Sequence, residues 1–388
     1  MKRITLEEIA DVGSGGTPNR SNPAFWGGSI PWIKTGEIRF NTILDSQEKI
    51  TERALKESAT KIFPKGSLLM AMYGQGKTRA QVAILGIDAA INQACAAITV
   101  NEKSDFLYIY HYLAFNYQNI RNLSNKGGQE NLSADIIRSI PVNYPPLPEQ
   151  RKIAEILSTW DEALEKLEAL IEAKESSKKA LMQQLLSRTA AKSGRTHARH
   201  RLGEVVERVT RKNAILNDHV LTISAQGGLV DQREYFSRNV AGADLSGYYL
   251  LKNGEFAYNR SSSKGYPFGA LKRLDQYDAG VVSTLYLCFR IKPDAPVSSD
   301  YLCHYFEGGR LNFGLRSIAK EGARAHGLLN VTADEFFDLD IFLPSLGDQQ
   351  KIAIILDSVD QELALLQNQR TALDRQKRVH PQKVCLAR

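Results

Sequence analysis

Apolar side chains recur in alternating steps of four and three along two stretches of the chain. Such steps place the side chains on one seam of an α-helix, which is the pattern of a coiled coil. The seam consists of Ile153, Leu157, Trp160, Leu164 and Leu167 in the first stretch, and of Ile352, Leu356, Val359, Leu363 and Leu366 in the second. The pattern therefore predicts two long helices, which within one chain pair most simply as an antiparallel coiled coil. The alternative is that each helix packs on its own domain without pairing.

Prolines mark the limits of these helices. Pro148 suits a first helical turn, where no backbone donor is needed, so the first helix is expected over residues 148–190. The second is expected over residues 346–388. There His380-Pro381 should kink the helix or end it early, because proline lacks the N–H that a helix interior requires.

The two helical stretches are copies of one another. At a constant offset of 199 residues, PPLPEQRKIAEILSTWDEALEKL (145–167) and PSLGDQQKIAIILDSVDQELALL (344–366) are identical at 11 of 23 positions. The short segments NLSAD (131–135) and NVTAD (330–334) follow the same offset. Elsewhere the halves diverge, so the chain is a tandem duplication of a variable block followed by a constant helix. The variable domains are expected over residues 1–147 and 191–345, the second of which begins with a basic linker.

The variable blocks combine strand and helix patterns. Apolar runs at residues 67–73 and 281–291 predict strands, and glycine-rich turns separate such runs. Residues 105–117 and 300–306 predict matching short helices. The fold class is therefore α+β, with two mixed α/β domains joined by two long antiparallel helices in a pseudo-two-fold tandem repeat.

Composition narrows the class of protein. The 388 residues are 43% hydrophobic and carry a net charge of +7, a surplus that permits nucleic-acid binding without demanding it. Four scattered cysteines do not have the spacing of a disulfide framework or a zinc ribbon. No run approaches the ~18 apolar residues of a membrane span, and the N-terminus lacks the apolar core of a signal peptide. We therefore expect a cytoplasmic protein.

Several motifs resemble catalytic or ligand sites without their full context. Residues 71–78, AMYGQGKT, fit a relaxed P-loop, but alanine replaces the first glycine and a strand-like run follows where a helix is required. A glycine-rich hairpin is the favoured interpretation. The glycines of residues 11–16 lack the strand-and-helix setting of a methyl-donor loop. His197 and His200 lie in the basic linker without acidic or cysteine partners, so neither a metal site nor a catalytic set emerges.

The remaining polar pattern favours DNA binding. Arg and Lys neutralise phosphates or bind guanine, and Asn and Gln pair with adenine, while small neighbours let the backbone approach DNA. In the first block the candidates are Lys34, Arg39, Tyr73, Gln75, Lys77, Arg79 and Gln93. In the second block they are Arg208, Arg211, Lys212, Asn213, Tyr258, Asn259, Arg260, Lys264, Tyr266, Lys320 and Arg324.

The repeated block PPLPEQRKIAEIL, its copy LPSLGDQQKIAIIL and the openings LEEIA and LGEVV resemble the specificity subunits of type I restriction–modification systems. Residues 15–18, 31–38 and 71–79 also resemble the target-recognition domains of that family. The resemblance covers essentially the whole chain. It implies that each variable domain recognises one half of an asymmetric, bipartite DNA target, and that the paired helices set the spacing between the halves.

The resemblance also implies that the chain has no catalytic activity and no cofactor of its own. Its expected partners are double-stranded DNA, two methyltransferase (modification) subunits that use S-adenosylmethionine, and two restriction (motor-nuclease) subunits that use ATP and Mg²⁺. One alternative is the specificity component of a related system in which a fused enzyme supplies both activities. A P-loop nucleotide-binding protein is a weaker alternative.

Overall fold

The computed structural model describes residues 2–74, 76–123, 131–187, 197–224, 227–236, 242, 244–263, 265–321 and 329–385, with the side chains of 320–321 and 378–385 excepted. The chain divides into two compact units. One comprises Met1–Ala169 together with Asn368–Arg388, and the other comprises Leu170–Gln367. Two long helices contribute segments to both units.

The elements follow one another in a similar order in the two halves of the chain. The first half contains β1 (Lys2–Thr5), β2 (Ala10–Ser14), β3 (Trp26–Ile33), β4 (Thr42–Ile43), β5 (Glu48–Ile50), α1 (Glu52–Glu57), β6 (Ile62–Phe63), β7 (Leu68–Ala71), β8 (Val82–Leu85), β9 (Ala89–Ile91), β10 (Cys95–Val100), α2 (Phe106–Phe115), α3 (Tyr117–Arg121), α4 (Ala134–Arg138), β11 (Pro141–Tyr144) and α5 (Leu147–Leu185).

The second half contains β12 (Ala198–Arg201), α6 (Leu202–Val205), β13 (Val206–Arg208), β14 (Leu221–Ser224), β15 (Gly228–Asp231), α7 (Gln232–Phe236), β16 (Tyr249–Lys252), β17 (Phe256–Asn259), β18 (Ala270–Arg273), β19 (Ala279–Val282), β20 (Leu287–Ile291), α8 (Ser299–Glu307), α9 (Asn312–Ile318), β21 (Lys320–Glu321), β22 (Leu329–Asn330), α10 (Ala333–Phe337), β23 (Asp340–Leu343) and α11 (Leu346–Cys385). The predicted strands and short helices are thus present, although a turn splits the run 281–291 between β19 and β20.

The main sheets of the two units have the same strand order. It is β2-β10-β7-β8 in the first unit, where β4 adds an outer strand, and β13-β20-β17-β18 in the second. Each central strand is buried on both faces because alternate side chains enter different cores. Leu68 and Met70 of β7 face one core while Leu69 faces another, and Phe256 and Ala257 of β17 divide in the same way.

The seam side chains of the long helices are covered, as their spacing predicts. Ile153, Leu157 and Leu167 are buried in α5, and Ile352, Leu356 and Leu363 are buried in α11; Trp160, Leu164, Val359 and Leu366 are half-buried. The first turns of α5 and α11 pack into the cores of their own units. The apolar seam of each long helix therefore packs against a domain as well as against the other long helix.

Ion pairs show that α5 and α11 lie antiparallel within each unit. In the first unit Asp161 pairs with Lys377, and Glu168 Oε1 lies 2.5 Å from Arg370 Nη2. As residue numbers rise along α5, the numbers of their partners on α11 fall, so the two helices run in opposite directions. In the second unit Lys174 Nζ lies 2.7 Å from Glu362 Oε2, and Lys178 pairs with Asp360 in the same sense.

Two expectations need correction. The helix α11 does not end at His380-Pro381 but continues to Cys385. Proline removes one backbone donor, and a helix of this length retains its remaining hydrogen bonds on either side of the loss. The basic linker, expected over residues 188–201, is also shorter than expected, because Ala198–Arg201 forms β12 and pairs with β23.

An identical glutamine begins each long helix and ties it to its domain. The Gln150 side chain is fully buried, accepts a hydrogen bond from the backbone N–H of Asp105 at 2.9 Å and donates one to the carbonyl of Pro145 at 2.8 Å. Gln349 makes the corresponding bonds with the N–H of Ser298 and the carbonyl of Pro344, both at 2.9 Å. Since Asp105 and Ser298 cap α2 and α8, each glutamine joins a domain helix to a long helix.

Candidate nucleic-acid interface

Each unit carries a ten-residue connection at the same place in its main sheet. Residues 72–81 connect β7 to β8, and residues 260–269 connect β17 to β18. The two connections, MYGQGKTRAQ and RSSSKGYPFG, occupy equivalent positions although their sequences differ. We call them the first and second hairpin loops.

The first hairpin loop contains the P-loop-like stretch. Its flanking strands β7 and β8 pair in an antiparallel manner, so the expectation of a glycine-rich hairpin is confirmed. The glycines of residues 11–16 likewise begin in β2, which pairs antiparallel with β10 and leads to no phosphate-binding helix. Among the described residues, no group of three His, Cys, Asp or Glu side chains could hold a metal ion.

Aromatic contacts fix the first hairpin loop. The hydroxyl of Tyr117 donates to the carbonyl of Lys77 at 2.5 Å, and its ring meets Phe40 edge-on with centroids 5.3 Å apart. The N–H of Phe40 in turn donates to the carbonyl of Val82 at 2.8 Å. Arg39 therefore lies beside the hairpin loop that carries Lys77.

The structure brings most of the predicted first-block residues together. The loop that holds Gln93 is hydrogen-bonded on one side to the end of β3, just before Lys34, and on the other to the residue before Tyr73, with N···O distances of 2.9 Å. Arg39, Lys77 and Gln93 are exposed, and Tyr73 is 40% exposed. These polar side chains consequently form one accessible surface around the first hairpin loop.

Sequence reasoning missed Arg20 on this side of the first unit. Its guanidinium carbon lies 4.0 Å from the ring centroid of Trp26 and 4.7 Å from that of Trp32. Glu48 binds both Arg20 and Lys34, and these two cations hold the pKa of the Glu48 carboxyl below its ordinary value, with Lys34 contributing more. One carboxylate thus compensates only one of two neighbouring positive charges. Arg20 and its partners come from separate positions in the chain, so no local sequence motif predicts this basic group.

Four predicted DNA contacts prove to be interior or turn residues. Arg79 is 5% exposed, and Tyr258 is fully buried with its hydroxyl donating to the carbonyl of Phe268 at 2.7 Å. Asn213 is also fully buried, and its amide organises the backbone of its own loop. Asn259 accepts a hydrogen bond from a following backbone N–H at 3.2 Å. These side chains shape the fold, and we remove them from the candidate interface.

The second hairpin loop is fastened by its own polar residues. The Arg260 guanidinium donates to the carbonyls of Leu285 at 2.9 Å and Val331 at 2.8 Å, so it holds the loop base instead of facing solvent freely. The hydroxyl of Tyr266 donates to Glu307 at 2.5 Å, and burial together with this carboxylate raises the pKa of Tyr266. Both residues are therefore structural supports of the second hairpin loop.

A second basic group lies at the other end of β17. Arg211 contacts both carboxylate oxygens of the buried Glu255, at 2.7 and 2.9 Å, directly before β17 begins. Lys212 is exposed and lies 4.5 Å over the ring of Tyr249, while Arg208 is exposed at the end of β13. Since the second hairpin loop follows the end of β17, the structure does not unite these residues with it.

Some predicted positions lie outside the described residues. These are Gln75, Lys264, Arg324 and the side chain of Lys320. None of the described helices is long and apolar enough to cross a membrane.

Comparison with known proteins finds a family model that matches the first part of the chain, and relatives of similar sequence. Residues 1–175 match the family model described as "Type I restriction modification DNA specificity domain". The EcoR124I/EcoR124II type I restriction enzyme specificity subunit of Escherichia coli is 31% identical over 161 residues, and the MjaIX specificity subunit of Methanocaldococcus jannaschii is 28% identical over 168 residues. These alignments cover 40% and 41% of this chain and 40% and 38% of the two relatives, respectively.

The fold has a similar counterpart among solved structures. The S subunit of a type I restriction–modification system from M. genitalium superimposes with a TM-score of 0.60 at 14% identity, covering 99% of this chain and 96% of that one. The sequence matches thus concern about two fifths of the chain, while the likeness of fold extends over nearly all of it. Residues 1–175 therefore match a type I restriction–modification DNA specificity domain, and the fold of nearly the whole chain resembles that of a solved S subunit.

Proposed function

We propose that this chain is the DNA sequence-specificity subunit of a type I restriction–modification complex. In this role it recognises a bipartite, asymmetric DNA target and recruits the methyltransferase and motor-nuclease subunits. The observation that carries the proposal is the pair of equivalent hairpin loops with different sequences. One architecture that presents two different surfaces suits a target whose two halves differ.

The proposed DNA contacts are the accessible polar residues. In the first unit they are Lys34, Arg39, Tyr73, Lys77 and Gln93, to which we add Arg20. In the second unit Arg208 and Lys212 are exposed but lie at the end of β17 opposite the second hairpin loop, so we do not assign them to this surface. Gln75, Lys264, Lys320 and Arg324, whose side chains lie outside the described residues, stay predictions from the sequence. Cationic side chains would bind phosphates and set the register, and a few amide and guanidinium groups would contact base edges.

The duplicated helices suit the binding of two copies of one partner. Lys152 and Ile156 of α5 recur at the offset of 199 as Lys351 and Ile355 of α11. All four are exposed, and the two isoleucines are 42% and 44% exposed, so the packing of this chain does not account for their identity. An exposed apolar residue repeated on equivalent surfaces is typical of a protein-binding face. We assign these faces to the two methyltransferase subunits.

We assign the catalytic steps to the partner subunits. The modification subunits would supply adenine methylation from S-adenosylmethionine, and the restriction subunits would supply ATP-driven translocation and Mg²⁺-dependent cleavage. The chain's own contribution is selection of the site and spacing. A helix of 39 residues such as α5 is about 58 Å long, against about 34 Å for one turn of DNA.

The proposal is tested by base-resolution methylation sequencing of the host. We expect adenine methylation at one interrupted, asymmetric motif, its loss when this chain is deleted and its return when the gene is restored. Replacing the exposed Lys77 by Glu should reduce the methylated fraction, because it places a negative charge in the proposed interface.

The matched control is Lys65→Glu. Lys65 is also exposed but precedes β7, at the end opposite the first hairpin loop. Methylation that is unchanged by deletion of the chain would refute the proposed function. Equal effects of the two substitutions would refute the assignment of the first hairpin loop.

A further inference from the structure

An aspartate in the first unit connects three elements. Asp161 of α5 binds Lys377 of α11 through Oδ1, and its Oδ2 lies 3.6 Å from Nδ1 of His111 on α2. The other nitrogen of the same imidazole, Nε2, is 3.1 Å from the hydroxyl of Ser158, one turn earlier on α5. The domain helix, its long helix and the opposite long helix therefore meet at one carboxylate.

The second unit repeats the contacts among aspartate, lysine and histidine through the same atoms. Asp360 of α11 binds Lys178 of α5 through Oδ1, and its Oδ2 lies 4.0 Å from Nδ1 of His304 on α8. Nε2 of His304 is 2.8 Å from Asp357, which takes the place of the serine. We call each set of aspartate, lysine and histidine a clamp.

The sequence relation between the clamps is informative. Asp161 and Asp360 are separated by 199 residues, and so are Lys178 and Lys377, whereas the histidines come from the divergent blocks and follow no common offset. Each aspartate is paired with the lysine of the other copy. Domains that have otherwise lost their sequence similarity thus still present an imidazole to the same carboxylate.

We propose that Asp161 and Asp360 are positioning residues that hold each domain and the two long helices in one register, and thereby fix the spacing between the half-sites that the protein accepts. The proposal rests on the proposed function. It assigns to two individual carboxylates a task that a generic apolar seam performs poorly, because apolar side chains tolerate sliding to the next turn. An ion pair between one aspartate and one lysine does not tolerate such sliding, because it is lost when the helix moves by a turn.

The distances make this coupling effective. Sliding one helix by a turn moves Lys377 about 5.4 Å from Asp161, whereas one base pair advances the DNA by about 3.4 Å. A slip of register would therefore appear as a spacer altered by one or two base pairs. Lys178 and Lys377 are only 19% and 28% exposed, so their charges depend on the aspartates more than those of fully solvated lysines would.

The experiment compares the methylome of hosts that carry the wild-type chain or the double variant Asp161→Asn/Asp360→Asn. Asparagine keeps the shape but removes the charge. We expect the same two half-sites, with the share of methylation at spacers one base pair longer or shorter rising about fivefold, the factor expected for the loss of about 1 kcal/mol. A fourfold variant that exchanges the charges, with Asp161→Lys, Asp360→Lys, Lys178→Asp and Lys377→Asp, should restore the ion pairs between the two helices and the wild-type spacer.

Glu165→Gln is the control, since Glu165 is an exposed carboxylate on α5. It should leave the spacer distribution unchanged. A single, unaltered spacer in the double variant would overturn the positioning role, and so would a loss of methylation that the charge exchange fails to restore. A wild-type host without motif-specific methylation would instead refute the proposed function itself.

Discussion

His111 shows what burial does to a single side chain in this protein. The imidazole is 7% exposed, and burial lowers its pKa from the ordinary 6.5 to about 4. Lys377 acts in the same direction, whereas Asp161 and Asp105 partly oppose the shift. The folded protein therefore holds His111 neutral at a pH at which the unfolded chain binds a proton.

This burial predicts a pH-dependent stability. Between pH 6.5 and about 4 the unfolded state binds more protons than the folded state, so the free energy of unfolding should fall by up to about 1.4 kcal/mol per pH unit as the pH drops. Above that window His111 contributes no pH dependence. The test is urea denaturation at pH 7.5, 5.5 and 4.5 for the wild type and His111→Asn, where the variant should lose less stability on acidification. Parallel curves would contradict the prediction.

At this scale the sequence identifies residue types but not exposure. Arg79, Asn213 and Tyr258 have the chemistry of DNA contacts and yet are buried. Asn213 and Tyr258 use their polar groups for the backbone of nearby turns. Arg20 has no local signature and is nevertheless held against two tryptophans by long-range packing. A linear pattern cannot separate these cases, since burial depends on residues far away in the chain.

At the scale of elements, the second hairpin loop depends on its glycines to different degrees. Gly269 has φ +84°, and a Cβ there would lie 2.3 Å from the carbonyl oxygen of Asn259. Gly265 has a similar φ of +87° with nothing within 4 Å of the added atom. The two positions therefore separate backbone preference from steric collision.

Substitution by alanine should reveal this difference. Gly265→Ala should destabilise the fold by about 1 kcal/mol, the cost of a left-handed backbone for a residue with a side chain. Gly269→Ala should cost at least about twice as much, because the strand β17 must move away from the new methyl group. Thermal unfolding of the two variants measures the difference, and equal midpoints would contradict it.

Elements are more predictable than contacts, for a physical reason. Helix periodicity is local, so the heptad-like spacing indicates α5 and α11, and the offset of 199 relates the two helices by sequence alone. The same offset relates Asp161 and Lys178 to their copies, yet it does not reveal the clamps. Their meaning depends on which helix faces which, and that is a tertiary property. A local pattern can also mislead: Pro381 predicts a helix end, yet α11 continues to Cys385.

At the scale of the whole molecule, the chain is two versions of one plan. The equivalent main sheets, hairpin loops and long helices recur, while the loop sequences differ. Under the proposed function, each domain should carry the specificity for one half of the DNA target and should not influence the other.

Exchange of one domain tests this independence. Replacing residues 1–147 by the corresponding block of a type I restriction–modification specificity subunit, with both long helices retained, should change one half of the methylated motif and leave the other half and the spacer intact. Methylation sequencing provides the measurement. A change in both halves would contradict the independence of the domains.

The buried glutamines at the start of the long helices have a consequence for how such chains diversify. Gln150 and Gln349 form hydrogen bonds with backbone groups of the domain and not with a particular side chain: each accepts from a backbone N–H, at Asp105 and Ser298, and Gln349 also donates to the carbonyl of Pro296 at 3.1 Å. A different domain can therefore form the same hydrogen bond with the glutamine if it begins a helix at the position of Asp105 or Ser298. Under the proposed function, new specificities can therefore be acquired by recombination of whole blocks, in which the loops change while the junction with the long helix stays constant.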